Sequence, residues 1–186
     1  AIDIPASVLS VGEYAFQECT DLSKVTLHDG TQTIGKDAFV TCGNLSSVTL
    51  PESLVSIGQS AFSSCTSLTS VVVPKNIKTI EPHTFQTCPS LTNIVLPDSL
   101  VTIGESAFQG CGMSQIRIPD NVSVFGSYAF KQCESLTSVA IPKSMASIAN
   151  GAFDGCSNLT SVTIPEGVTT IGNQAFRWCN LLSLTL

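Results

Sequence analysis

Eight cysteines and two histidines are the side chains of this 186-residue chain whose chemistry most invites a reaction or a metal. The cysteines fall at Cys19, Cys42, Cys65, Cys88, Cys111, Cys133, Cys156 and Cys179, and the histidines at His28 and His83. A zinc site needs about four ligands converging on one point, often from paired C-x-x-C units. These thiols are spread one to every 22 or 23 residues, which argues against a metal. A nucleophile needs a partner base and an accessible, electropositive setting, and eight equivalent copies offer neither. Disulfides need Cβ atoms within about 3.8 Å. Copies stacked at about 5 Å would miss that distance, and each thiol would have two equivalent neighbours and no unique mate. The reading that remains is free thiols buried as small hydrophobes. The two histidines lie far apart in the pattern and are expected at the surface.

The elements that position the thiols repeat with them. Three residues before each cysteine stands a phenylalanine: Phe16, Phe39, Phe62, Phe85, Phe108, Phe130, Phe153 and Phe176. Alanine precedes it in every unit except the fourth, which has Thr84, and five places before it sits Val11, Ile34, Ile57, Ile80, Ile103, Phe125, Ile148 or Ile171. After the cysteine comes L-x-x-V-x-I, as in Leu68, Val71 and Val73. The alternation and β-branched content of its last part predict a short strand, which Pro51, Pro74, Pro97, Pro119, Pro142 or Pro165 then ends. Between strands, "IGQSAFSSC" has room for a bend at Gly58 and about one helical turn, α or 3₁₀, with Ala61, Phe62 and Cys65 facing inward.

A unit of this size cannot cover its own apolar side, so neighbouring copies must cover it. The period predicts an α/β fold: a right-handed leucine-rich-repeat solenoid of about eight 23-residue units over residues 1–186. A curved parallel sheet lies on its concave face and short helical or 3₁₀ turns on its convex face. Strands about 4.8 Å apart would give a sheet roughly 40 Å long. Two units lose one residue between cysteine and strand, "CGMSQIRIP" and "CNLLSLTL", where Met113 and Leu181 take the leucine position and the inward set is expected to persist.

Composition narrows the function classes. The hydrophobic content is 43% and only 12% of residues are charged, with a formal net charge of −6, so a phosphate backbone is repelled and nucleic acid is not an expected partner. No apolar run approaches the roughly 20 residues of a membrane-spanning helix, so membrane insertion is not expected. Paired carboxylates, phosphate loops and triads at diagnostic spacing are absent, and a non-enzymatic role without cofactor or metal is expected.

The motif built from Ile57, Ala61, Phe62, Cys65, Leu68, Val71, Val73 and Pro74 resembles the BspA-like class of leucine-rich repeat, and the resemblance spans essentially the whole chain. Departures are local: His28 replaces the proline, Thr31 an aliphatic residue, and Glu81 and Ala149 the usual glycine. The resemblance implies a protein-binding module, extracellular or at the cell surface, adhering to matrix proteins of the fibronectin or fibrinogen type or to neighbouring cells. An intracellular or structural scaffold presenting a rigid surface is the alternative.

Strand alternation points two columns of side chains out of the core. Most of their members are small and polar. The exception is a central strip, Val72, Asn93, Val95, Gln115, Arg117 and Ala140, which sets apolar residues beside a guanidinium and two amides, a mixture that interface centres favour. Valine and threonine also suit any exposed strand, so a plain surface is the competing reading. Glu52, Lys75, Asp98, Asp120, Lys143 and Glu166 follow the prolines and are expected to form a solubilising rim. Sequons at Asn44, Asn121 and Asn158 are not read as glycan sites, two of them recurring because the unit itself carries an asparagine before its leucine. The chain begins inside a unit and ends on a strand with no polar cap, so it is expected to be a fragment or to associate with another copy through its ends. Arg177 and Trp178 would then cover the last layer or join an interface.

Overall fold

The computed structural model describes residues 1–185. The valines and isoleucines that follow each cysteine form short parallel strands, five in one sheet at Ile2–Ile4, Lys24–Leu27, Ser47–Thr49, Ser70–Val72 and Asn93–Val95, ordered as in the chain. Three more, Ser138–Ala140, Ser161–Thr163 and Ser183–Thr185, form a second sheet of the same kind. Equivalent residues pair, Val71 with Ile94 and Val139 with Val162, so each coil sits on the last in repeat register. The result is a parallel β-solenoid with the leucine-rich repeat fold.

Each coil also has a second strand, which the one-strand expectation missed. Two-residue strands such as Thr33–Ile34, Ser56–Ile57 and Thr102–Ile103 end on the aliphatic residue five places before the phenylalanine and pair in parallel across coils. The turn that precedes them is closed by the proline carbonyl, as where the Leu54 N–H donates to Pro51 O at 3.1 Å. A proline also leaves the ladder because it lacks an N–H. Where His28 takes its place, the extra N–H donates to Ile4 O at 3.3 Å.

The expected helical turns do not form: among the described residues there is no helix. The segment around each phenylalanine is instead a run of tight turns whose amides alternate in direction. In the third unit Ala61, Ser63 and Cys65 donate back to Gly58 O, Ser60 O and Phe62 O, whereas Ser60, Phe62 and Ser64 donate across to Pro82 O, Thr84 O and Gln86 O at 2.7–3.0 Å. A helix needs successive amides to bond within the segment and all residues to be right-handed. Here every second amide is committed to the next coil, and Ser60 and Ser64 take φ of 54° and 59°. The same two left-handed positions recur on either side of the other phenylalanines, at Asp37 and Thr41, His83 and Thr87, or Tyr128 and Gln132.

The core is one continuous column between strands and turns. Ala61, Phe62, Cys65 and Leu68 are fully buried, as are their equivalents in the adjoining coils. Consecutive phenylalanine rings stack with centroids 5.1–5.7 Å apart and planes within 2–16° of each other, the offset geometry that aromatic pairs favour. Phe125, in the aliphatic column, meets Phe130 and Phe153 edge-on. Truncating one stacked ring to alanine should cost about 3–5 kcal/mol.

Candidate functional site

All eight cysteines are free thiols, and the six from Cys42 to Cys156 are buried. Their role is more specific than filling space. From Cys42 onward each Sγ–H donates to the phenylalanine carbonyl of the preceding coil, Cys42 to Phe16 O at 3.1 Å, Cys88 to Phe62 O at 3.2 Å and Cys156 to Phe130 O at 3.1 Å. Burial pushes the thiols up, Cys42 to about 11 and Cys88 and Cys133 to about 12, so they stay protonated donors and are poor nucleophiles. Among the described residues no group of three or more His, Cys, Asp or Glu side chains is placed to hold a metal ion.

The histidines part company. His28 Nε2 lies 2.7 Å from Asp3 Oδ1 in solvent, as expected of a surface residue. His83 is partly buried, and among the described residues its Nδ1 has no hydrogen-bond partner. The Asn158 amide donates to Glu134 O of the preceding coil, which gives the recurrent asparagine a structural role, and Asn121, in another column, likewise donates to Asp98 O.

The strip picked out from strand alternation is exposed in full. Val72 and Val95 are register partners on adjacent strands, 63% and 49% exposed. Asn93, Gln115, Arg117 and Ala140 are exposed as well, and these four line a single cleft of ≈ 400 Å³ with Ile94, Ile116 and Ser138. Arg117 is not free: its guanidinium donates to Asp98 Oδ1 at 2.9 Å, with both side chains open to solvent. An exposed pair of this kind contributes little and exchanges readily for another carboxylate. Asp98 therefore belongs beside the strip rather than to an anonymous rim, and Lys75 and Glu52 form a similar but looser pair at 3.8 Å.

The cleft lies where the sheet stops. Residues Gln115–Arg117 hold the place of a strand but form none, so the five-stranded and three-stranded sheets are separated by this coil. The inward set does survive the missing residue, since Met113 is fully buried and Ile118 is 8% exposed, but the ladder does not. The lost residue alone is not the cause, because the other shortened unit keeps its strand at Ser183–Thr185. At Gly112 a Cβ would lie 2.0 Å from Pro89 O, so the chain crosses its neighbour closer than any side chain allows.

A second cluster lies on the turn side. Asp154 is 1% exposed and takes two charge-assisted bonds from Arg177, Nε to Oδ1 at 2.8 Å and Nη2 to Oδ2 at 2.7 Å. These bonds hold its carboxyl below the usual range. The same guanidinium lies 4.2 Å from the centroid of the Trp178 ring, which is 72% exposed and projects from the surface instead of covering a layer. This fixed aromatic was legible only as an odd residue in its column.

The fold and the repeated thiol–carbonyl ladder define a leucine-rich repeat solenoid. The chain belongs to the family described as BspA type leucine rich repeat region, whose six-copy model matches residues 1–111 and again 78–186. It is similar to the crystal structure of a leucine rich cell surface protein from Faecalibacterium prausnitzii A2-165, at 30% identity and a TM-score of 0.75 over 99% of this chain. A leucine-rich repeat protein of T. pallidum is likewise 30% identical, with a TM-score of 0.67 over 98% of this chain and 77% of its own. The pneumococcal vaccine antigen PcpA shares the fold at 19% identity, with a TM-score of 0.70 over 99% of this chain. The chain spans 60% of the length of the Faecalibacterium and PcpA structures. No curated protein sequence matches it. Repeat solenoids of this kind are protein-interaction modules.

Proposed function

We propose that this chain is an adhesion module of the cell surface that grips a protein partner with the outward side of its strand face, around Val72, Asn93, Val95, Gln115, Arg117 and Ala140. The observation that carries the reading is the pairing of two exposed valines, Val72 and Val95, beside a cleft bounded by amides and a guanidinium. Exposed apolar side chains beside amides and a guanidinium are the mixture that interface centres favour. The phenylalanine centroids, 5.1–5.7 Å apart, are spaced more widely than strands at about 4.8 Å. That difference bends the stack so that the strand face is the concave side. A concave, rigid face suits a folded or extended protein better than a small molecule.

A surface location is supported by the 30% identical Faecalibacterium structure, which is described as a cell surface protein. The resemblance to BspA-like repeats makes fibronectin and fibrinogen the first ligands to try. The experiment is a titration of immobilised fibronectin and fibrinogen with the wild-type chain and with a Val95→Ser, Arg117→Ser double variant. Saturable binding that weakens at least tenfold in the variant supports the reading, and equal binding by both chains removes the strip from it.

A further inference from the structure

We infer that the break in the sheet at Gln115–Ile118 is a docking cleft for an extended polypeptide segment, whose main-chain amides take up the hydrogen bonds that this coil does not make. The inference rests on the protein-binding reading and narrows it to one place and one kind of ligand.

Over most of the face the backbone is paired from coil to coil, more sparsely between Ser47–Thr49 and Ser70–Val72, where Ser47 and Ser70 alone are register partners. The Val73 N–H donates to Val95 O at 2.9 Å and the Ile141 N–H to Thr163 O at 2.9 Å, beside strands in full parallel register. Between Asn93–Val95 and Ser138–Ala140 that pairing fails. The Ser114 carbonyl accepts from the Thr137 N–H at 3.1 Å, but from Gln115 to Ile118 no main-chain N–H or C=O bonds to another backbone group among the described residues. The strands Asn93–Val95 and Ser138–Ala140 thus each lack a strand partner on the side of this intervening coil, and the cleft runs along it.

Unpaired strand edges are templates for another chain, and solvent must serve their polar groups until one arrives. Of the ligands that an open cleft of mixed lining could take, a peptide main chain offers a donor and an acceptor at every residue, which matches a row of free N–H and C=O groups. The walls suit its side chains. Ile94, Ile116 and Ala140 line the cleft, Val72 and Val95 lie beside it, and the Arg117 guanidinium can leave Asp98 for a carboxylate on the segment.

The test selects a phage-displayed library of random 12-residue peptides on the 186-residue chain and titrates a fluorescently labelled winner against three proteins. These are the wild type, a chain with one serine inserted between Gly112 and Met113 to restore the cysteine-to-leucine spacing, and Ala140→Trp, which fills the cleft without altering the repeat. The expected result is that the peptide binds the wild type, slows amide exchange at Gln115–Ile118, and binds both altered chains at least tenfold more weakly. Ala140→Trp keeps the test valid should the inserted chain fail to fold. The inference is overturned if no peptide is enriched, if the winner protects only other amides, or if Ala140→Trp binds it with wild-type affinity. Fibronectin or fibrinogen binding that needs Val95 and Arg117 but ignores Ala140→Trp would overturn this inference and leave the broader reading intact. Binding that ignores all of these substitutions would remove both.

Discussion

Cys65 Sγ lies 3.3 Å from the carbonyl oxygen of Phe39 in the coil before it and donates its proton there. The same oxygen accepts the Cys42 N–H at 3.3 Å, so one carbonyl joins a turn within its own coil to the coil that follows. The repeated cysteine is therefore a small apolar filler that is also a donor. Cys65→Ala should destabilise the chain by about 1–3 kcal/mol, from the lost bond and the void together. Cys65→Ser should not restore wild-type stability, because an O–H···O bond is commonest at about 2.7–2.8 Å and the hydroxyl, on a shorter bond than the sulfur, would sit too far away. Urea denaturation of the three proteins measures both effects. A serine variant as stable as the wild type would mean that the donor alone matters.

The thiols also set a pH limit. Burial raises Cys42 and Cys179 to about 11 and Cys88 and Cys133 to about 12, against about 8.5 for a thiol in an unfolded chain. A raised folded value means that the stability is fully present below the unfolded value and is lost as pH rises toward the folded ones. The melting temperature should hold between pH 7 and 8 and fall steadily above pH 9. In the native chain at pH 8 the six buried thiols should resist a disulfide reagent, and all eight should react once the chain is unfolded. A fast reaction of buried thiols in the folded protein would contradict the ladder.

Thr87 is β-branched and sits at φ 57°, where the next two equivalent positions hold Gly110 at φ 70° and Gln132 at φ 57°. A left-handed residue with a Cβ costs about 1–2 kcal/mol, and glycine recovers part of that at an entropic cost. Thr87→Gly should raise stability by about 0.5–1 kcal/mol in thermal or urea unfolding. A loss instead would show that the threonine side chain stabilises its turn.

Asp154 and Arg177 stand 23 residues apart and one coil apart. The carboxyl is held low chiefly by the hydrogen bonds from Arg177, so its contribution is present above about pH 4 and disappears as the pH falls through the lowered folded value. The wild type should melt above Asp154→Asn at pH 6, and the two melting curves should converge as the pH approaches 2. Curves that stay equally far apart at every pH would mean that packing, not charge, separates them.

How far these features could be read in advance follows from how each is written into the chain. The phenylalanine, cysteine and proline columns were legible because a side chain with a fixed place in every coil recurs at a fixed interval. The left-handed turns were not, because Asp37, Thr41, Ser60 and Thr87 carry no glycine signature and take φ > 0 only under the pull of the next coil. The helical expectation failed for the same reason. The exposure of the six strip residues followed from alternation alone. The break beside which four of them line a cleft did not, since the same one-residue deletion leaves a strand at Ser183–Thr185 and none at Gln115–Arg117. Asp154 and Arg177 had a signal that was overlooked: residues 23 apart share a column and touch, so opposite charges at that spacing predict a contact.

Gly112→Ala should be costly where most surface glycines are not. Its Cβ would come within 2.0 Å of the Pro89 carbonyl oxygen, a backbone atom with no room to retreat. Overpacking of this kind costs about 1–3 kcal/mol, and the shift should also reshape the cleft. Urea denaturation reads the first effect, and amide exchange at Gln115–Ile118 reads the second. A variant with unchanged stability would mean that the two coils can separate freely at this point.

The most direct measurement of the binding account is amide exchange on the chain saturated with fibronectin, or with fibrinogen if that binds more tightly. Protection should appear at Ser70–Val72, Asn93–Val95, Gln115–Arg117 and Ser138–Ala140, with the turn segments around Phe62, Phe85 and Phe108 unchanged. Protection confined to those turns, with the strand face exchanging as in the free chain, would contradict it.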